Sequence, residues 1–286
     1  MPYPIFTYKK ASPAGDLRGR SSPAEYPLPQ AYNSGYTIPP TSVQRETTIE
    51  IRETHPFDLT PAEAIRLQER LREQVRRSGD PGAVSLVVGA DASYAKGSDV
   101  IHAVAVALSF PDLTVVERVS ATAVTTFPYI PGLLTFREGP ALIEAFRRLT
   151  SEPDVIFFDG QGIAHPRGLG IASHMGILLN RPTVGVAKSL LVGTAAEPAA
   201  EKGSTAPILR DGETIGMAVR TKERVKPVYV SVGHRVALST AVSLVLATAR
   251  GYRLPEPTRQ AHLFANEVRR EGSGEGRQTT LPTSGE

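Results

Sequence analysis

At 286 residues, with 41% hydrophobic and 21% charged side chains, the chain can bury a sizeable core and has the balance of a soluble globular protein. Its formal charge is a mild +3, yet residues 220–270 hold ten Lys and Arg against three acids; that zone fits a phosphate-backbone partner and equally a solvated surface. The absence of cysteine excludes disulfides, thiolate zinc sites, iron–sulfur clusters and a cysteine nucleophile, and no apolar run approaches the roughly 18 residues of a membrane span.

Residues 1–45 carry eight of the 24 prolines and five of the nine tyrosines without periodicity, and read as a disordered tail. A single domain is expected over about 50–270, followed by a second disordered tail at 272–286. Nothing at the N-terminus resembles a secretory signal, so the expected address is the cytoplasm.

The domain opens on a capping box, Thr60-Pro61-Ala62-Glu63. Ala64, Leu67, Leu71 and Val75 then follow at helical spacing, which predicts an amphipathic helix with no chemistry of its own. A strand from Val84 to Asp91 and β-rich runs at 101–109 and 113–126, joined by short turns, predict an antiparallel meander. A helix is expected to start at Gly139-Pro140, with Leu142, Ala145, Phe146 and Leu149 on one face. Asp154–Asp159 reads as a buried parallel strand, followed by a helix near 168–179 and a strand at Thr183–Val186. A hairpin turning at Asp211-Gly212, strands at 215–220 and 227–231, and helices near 236–250 and 258–270 complete the pattern. The fold class is α/β: a mixed sheet, antiparallel meander plus parallel strands, with helices on both faces.

Acids fall where chemistry is usually placed. Asp91 and Asp159 each close an apolar strand, at the edge where open α/β sheets build their sites. Glu138 precedes the expected helix, where the macrodipole favours an anion. Three converging carboxylates call for a divalent cation, and an oxygen-only ligand set points to Mg²⁺ or Mn²⁺. Strand-end aspartates also serve as turn residues and helix caps, so spacing alone leaves the metal site open.

The segments FPYIPGLLTFREGP (Phe127–Pro140) and FDGQGIAHPRGLGIASHMG (Phe158–Gly176) resemble those of endonuclease V, the deoxyinosine 3′-endonuclease family. GADASY, GVAKS, VSVGH and YRLPEPTRQAH match in order, so the resemblance covers about residues 55–265. It implies a ribonuclease H-like fold and metal-dependent hydrolysis of the second phosphodiester 3′ to a deaminated base, leaving 3′-hydroxyl and 5′-phosphate ends. Asp91 and Asp159 would then be metal ligands, with Glu138 as the third catalytic carboxylate. Lys188 would stabilise the pentavalent phosphate, and His234 would stand near the metal. Pro128, Tyr129, Ile130 and Pro131 would form a wedge in damaged DNA, single- or double-stranded. Gly132, Leu134, Gly160, His165 and Gly170 would line a pocket for the flipped base. His174 reads as core, while His55, His102 and His262 carry no signal. Two alternatives stay open: an inosine-specific endoribonuclease of the same fold, and a non-catalytic nucleic-acid binding module. No membrane partner is implied, and a monomer is expected.

Overall fold

A computed structural model describes residues 49–52 and 55–272. The two expected tails lie outside the described residues, except for Gly272, which is the last residue of a helix.

The first helix, α1 (Pro61–Leu71), starts as expected: the Thr60 side chain accepts from Glu63 N, and Glu63 reaches back to the Thr60 amide. The meander follows as β1 (Leu86–Ser93), β2 (Val100–Ser109) and β3 (Val115–Val124), with antiparallel pairing throughout. Next come α2 (Leu134–Arg148), β4 (Val155–Phe158), α3 (Ile171–Leu179) and β5 (Thr183–Ala187). Both β1–β4 and β4–β5 pair in parallel. The rest of the chain adds β6 (Thr194–Ala195), β7 (Thr205–Arg210), β8 (Glu213–Val219), β9 (Val228–His234), α4 (Leu238–Ala247) and α5 (Glu256–Gly272). The β7–β8 hairpin turns at Asp211-Gly212 with φ of 52° and 83°, the two positive angles that a tight hairpin of this sequence requires. Spatial order in the sheet is β3-β2-β1-β4-β5-β9-β8-β7-β6.

Alternation along the central strands divides the core in two. Val88, Ala90, Ile156 and Phe158 pack with Leu142 and Phe146 of α2 and Met175 of α3. Val87, Val155, Phe157 and Val186 face the other way, with Ala241 and Val245 of α4 and Ala261 and Ala265 of α5. The centre of the sheet is therefore covered on both sides, and only its edges can host a site. No helix among the described residues is long and apolar enough to cross a membrane.

Among the boundaries that differ from the sequence reading, two matter for the acids. The β1 strand continues to Ser93, because its antiparallel pairing with β2 persists to Ser93↔His102 after its parallel pairing with β4 ends at Ala90↔Phe158. Asp91 therefore sits inside the strand but just past the end of its partner. The α2 helix begins at Leu134, so Pro140 lies within it rather than at its start. Leu133 and Phe136 are buried in a cluster with Ala64, Leu67 and Leu71 of α1, and that burial outweighs the proline's preference for a first turn. Glu138 consequently occupies the second turn, where the helix-end charge has faded.

Candidate active site

The parallel register of β1 and β4 brings Asp91 and Asp159 side by side. Ala90 pairs with Phe158, and each aspartate is the next residue along; the Asp159 amide donates to Ala90 O at 3.3 Å. Both follow the alternation that faces α5. Lys188, just beyond β5, donates from Nζ to Asp159 Oδ2 at 2.5 Å. Burial and the Asp91 charge hold the Asp159 carboxyl above the usual carboxylate range, and Lys188 acts against that rise.

The residue missed in the sequence is His262. Its Nδ1 lies 2.9 Å from Asp91 Oδ2 and 3.9 Å from Asp159 Oδ2. One ligand atom from each of Asp91, Asp159 and His262 falls within 4.8 Å of the others, a spacing that one metal ion could bridge. Glu138 stands outside that trio, so the donor set is not the oxygen-only one expected. The Asp91 hydrogen bond holds His262 above its ordinary value. Asn266, one turn further along α5, donates from Nδ2 to His262 Nε2 at 3.3 Å and accepts from Ser93 Oγ at 3.2 Å. The helical pattern of α5 gives no signal for a lone histidine until the helix is docked, although His262 closes the matching segment YRLPEPTRQAH. Docking depends on Gly89: a Cβ there would lie 1.9 Å from Pro257 O, so only a glycine lets the start of α5 rest on the β1 backbone.

Glu138 is 7% exposed, and burial followed by the charges of Asp91 and Asp159 raises its carboxyl well above the usual range. Tyr94 hydrogen-bonds to it, and burial together with Glu138 pushes the Tyr94 phenol up to about 12. The Arg137 guanidinium lies 5.0 Å from the Tyr94 ring centroid and donates to Ser98 O and Phe127 O, each at 2.5 Å. It thereby ties the start of the 127–131 loop to the helix that carries Glu138.

A cavity of about 130 Å³ opens among residues close in sequence to two of the acids, Gln161 after Asp159 and Thr135 before Glu138, and is lined also by Tyr129, Ile130, Pro131, Gly132, Leu134, His165, Gly170 and, among others, Gln68. Gly132, at φ +82°, turns its carbonyl onto three donors: Gln68 Nε2 at 3.0 Å, His165 Nε2 at 2.9 Å and Arg167 Nη2 at 2.7 Å. The Arg167 amide donates to His165 Nδ1, which fixes that ring as the neutral Nε2–H tautomer. The α1 helix is thus not chemically silent, since its buried Gln68 helps shape this wall. Tyr129 is 63% exposed at the cavity mouth. Gly160 does not line the cavity: Ile171 Cγ2 lies 2.6 Å from where its Cβ would be, so this glycine serves the close packing of α3. Pro128 is likewise absent from the lining.

His234 is a correction. It pairs with Thr183 at the start of β5, the sheet edge opposite the acids, and accepts from the Arg76 amide through Nδ1. The antiparallel run of β9 carries it there, away from Lys188. The basic zone also changes meaning. Arg220, Arg235, Arg250 and Arg253 donate to backbone carbonyls and Arg259 to Glu256, so half of its cations hold loops and helix ends in place.

Three buried histidines are kept neutral. Burial and Arg167 lower His165 to about 4, burial and His55 lower His174 to about 3, and burial and Arg235 lower His234 to about 4. In the unfolded chain they titrate near 6.5, so below that pH the unfolded state binds more protons. The stabilisation is complete above about pH 6.5 and is lost as the pH falls toward 4, each histidine contributing up to about 1.4 kcal/mol per pH unit. Urea melts between pH 7 and 5 should show this steep loss, and His174→Gln should flatten it; an unchanged slope in that variant would place His174 outside the linkage.

The family model for endonuclease V matches residues 67–263. An endonuclease V of Gloeobacter violaceus is 52% identical over 219 residues, covering 76% of this chain and 89% of that protein. The crystal structure of the Streptomyces avermitilis endonuclease V superposes with a TM-score of 0.72 at 41% identity, covering 79% of this chain and all of the other. The Ciona intestinalis endonuclease V, solved with a 24mer DNA containing an inosine followed by a ribo-adenosine, gives 0.65 at 28% identity, covering 73% and 97%. The mixed sheet is that of the ribonuclease H-like fold. With the family model spanning most of the domain and the site residues at its sheet edge, the chain belongs to the endonuclease V family of nucleases.

Proposed function

We propose that this protein is a DNA-repair endonuclease that recognises deaminated bases, chiefly deoxyinosine, and hydrolyses the second phosphodiester 3′ to the lesion with Mg²⁺. The products carry 3′-hydroxyl and 5′-phosphate ends. The observation that carries the reading is the meeting of Asp91, Asp159 and His262 at the sheet edge, together with a cavity bordered by the Tyr129 loop. The acids fit a divalent ion: both Asp159 and Glu138 are held above the carboxylate range by burial and neighbouring acids, a charge conflict that a cation would relieve. The two aspartates suit Mg²⁺, with Mn²⁺ as a substitute, whereas the His262 imidazole, a donor that Mg²⁺ seldom takes, would hold Asp91 in place through its 2.9 Å hydrogen bond. The chemistry such an ion supplies when bound is polarisation of the phosphoryl oxygen and activation of water.

The protein's own groups do the rest. Lys188 presents an ammonium beside Asp159, where it can offset charge gathering on the phosphoryl oxygens. Glu138, with its raised affinity for a proton, is placed to hold or pass one at the sheet edge. Gly132 offers its carbonyl to three protein donors, leaving the cavity walls to read the base. A single chain supplies every group named, so we assign the activity to a monomer, acting on damaged DNA in the cytoplasm. The ribo-adenosine beside inosine in the Ciona complex favours a second reading, inosine cleavage in RNA, which matched DNA and RNA oligonucleotides would separate.

Tyr129 provides the test of base flipping. Its loop is stiffened by Pro128 and Pro131, and its ring stands exposed at the cavity mouth. An apolar wedge offsets the few kcal/mol that unstacking costs. Tyr129→Ala should therefore lower cleavage of inosine-containing duplex about tenfold or more, with a smaller loss on single strands and a melting temperature close to wild type. Equal losses on both substrates, or a large fall in melting temperature, would make Tyr129 structural.

A further inference from the structure

A second exposed aromatic side chain stands on the other side of the sheet from the base cavity. Tyr252, in the α4–α5 connection, is 52% exposed. Its ring is backed by the Arg259 guanidinium, whose carbon lies 4.3 Å from the ring centroid. Arg259 is itself locked by a fork to Glu256, Nε to Oε2 at 2.8 Å and Nη2 to Oε1 at 2.6 Å. Glu256 is buried and also accepts from Gln260 at 2.6 Å. The ring is thus supported from behind and open in front, with little rotamer freedom left to lose on contact with a ligand.

Two tethers link its neighbours to residues of the reaction centre. Arg253, the next residue, donates through Nη2 to Lys188 O at 2.5 Å and to Pro227 O at 2.9 Å; the Lys188 ammonium meets Asp159. Arg259 lies three residues before His262 on α5, and so on the same helix face one turn earlier. The cavity is lined by Leu134 and Thr135 of α2 and by Gly170 and Ile171 at the start of α3, on the opposite side of the sheet. Under the proposed function the scissile phosphate, held at the acids, would lie between the two.

We infer that Tyr252, backed by Arg259, is a stacking platform for an unpaired nucleobase of the strand being cut, the base of the nucleotide immediately 3′ to the scissile phosphate. The inference rests on the proposed reading that the flipped lesion occupies the cavity. Stacking on an aromatic face tolerates any base, so the platform adds affinity without sequence preference. It would hold the strand on the departing side of the cut while Tyr129 and the cavity hold the lesion side.

The test uses two single-stranded oligonucleotides with one inosine, identical except that one carries a tetrahydrofuran abasic nucleotide immediately 3′ to the cut. The full-length protein, Tyr252→Ala and Tyr252→Phe are compared in Mg²⁺. Tyr252→Ala should raise KM about tenfold on the intact oligonucleotide with little change in kcat, within the range for base–aromatic stacking. On the abasic oligonucleotide the same variant should differ from wild type by less than about twofold, since there is no base to lose. Tyr252→Phe should match wild type on both. An equal loss on both substrates, failure of Phe to restore the KM, or no loss at all would overturn the platform. A wild-type protein that leaves the inosine oligonucleotide uncut would instead overturn the reading on which the platform rests.

Discussion

Replacing Asp91 or Asp159 with asparagine is expected to lower cleavage of inosine-containing DNA at least about a thousandfold, a barrier increase of about 4 kcal/mol. Either change removes one of the two strand-edge carboxylates that approach each other and His262 within 4.8 Å. Asparagine keeps the shape and an oxygen acceptor for His262 Nδ1 or for Lys188 Nζ, so the fold and the local hydrogen bonds should survive. DNA affinity should hold or rise, because negative charge leaves a site that must accept a phosphate. Chelation by EDTA should reproduce the loss in the wild-type protein, and added Mg²⁺ should reverse it. The measurement is single-turnover cleavage alongside equilibrium binding of the same oligonucleotide. Turnover near wild type in either variant would remove that aspartate from the reaction.

The second large effect is on stability and reaches the site indirectly. Gly89→Ala should cost about 3 kcal/mol, because its Cβ would meet Pro257 O at 1.9 Å, and backbone cannot swing aside as a flexible side chain can. For a domain of this size that is a fall of roughly 10 °C in melting temperature. The atom it pushes begins α5, the helix that carries His262 and Asn266 to Asp91 and Ser93. Activity should therefore fall further than the folded fraction does, measured at a temperature where the variant is still fully folded. A variant that melts as wild type would show that α5 does not rest on β1 at this point. A destabilised variant with unchanged specific activity would separate the docking of α5 from the placement of His262.

Much of this protein can be read along the chain, and the reason is local. The capping box at Thr60, the Asp211-Gly212 hairpin and the continuous apolar run before Asp159 each specify an element within a few residues, and each forms where expected. Asp159 is legible for the same reason, since a carboxylate that follows an apolar strand leaves the core at a sheet edge, whereas Asp91, inside β1, reaches that edge only because β4 ends beside Ala90. The family motifs add order and spacing over most of the domain.

What the linear sequence does not show are relations made between distant segments. The start of α2 is set by the burial of Leu133 and Phe136 against α1, which overrides the local preference of Pro140 and moves Glu138 from a helix end into a buried second turn. His234 closes the strand β9 much as Asp159 follows β4, yet β9 runs antiparallel to β5 and delivers it to the far edge of the sheet. His262 is 171 residues from Asp91, on a helix whose own pattern marks only which face is buried. It becomes part of the site because Gly89 lets that helix touch the strand. Strand direction, helix docking and burial are decided by packing of the whole chain, and periodicity within one segment carries no record of them.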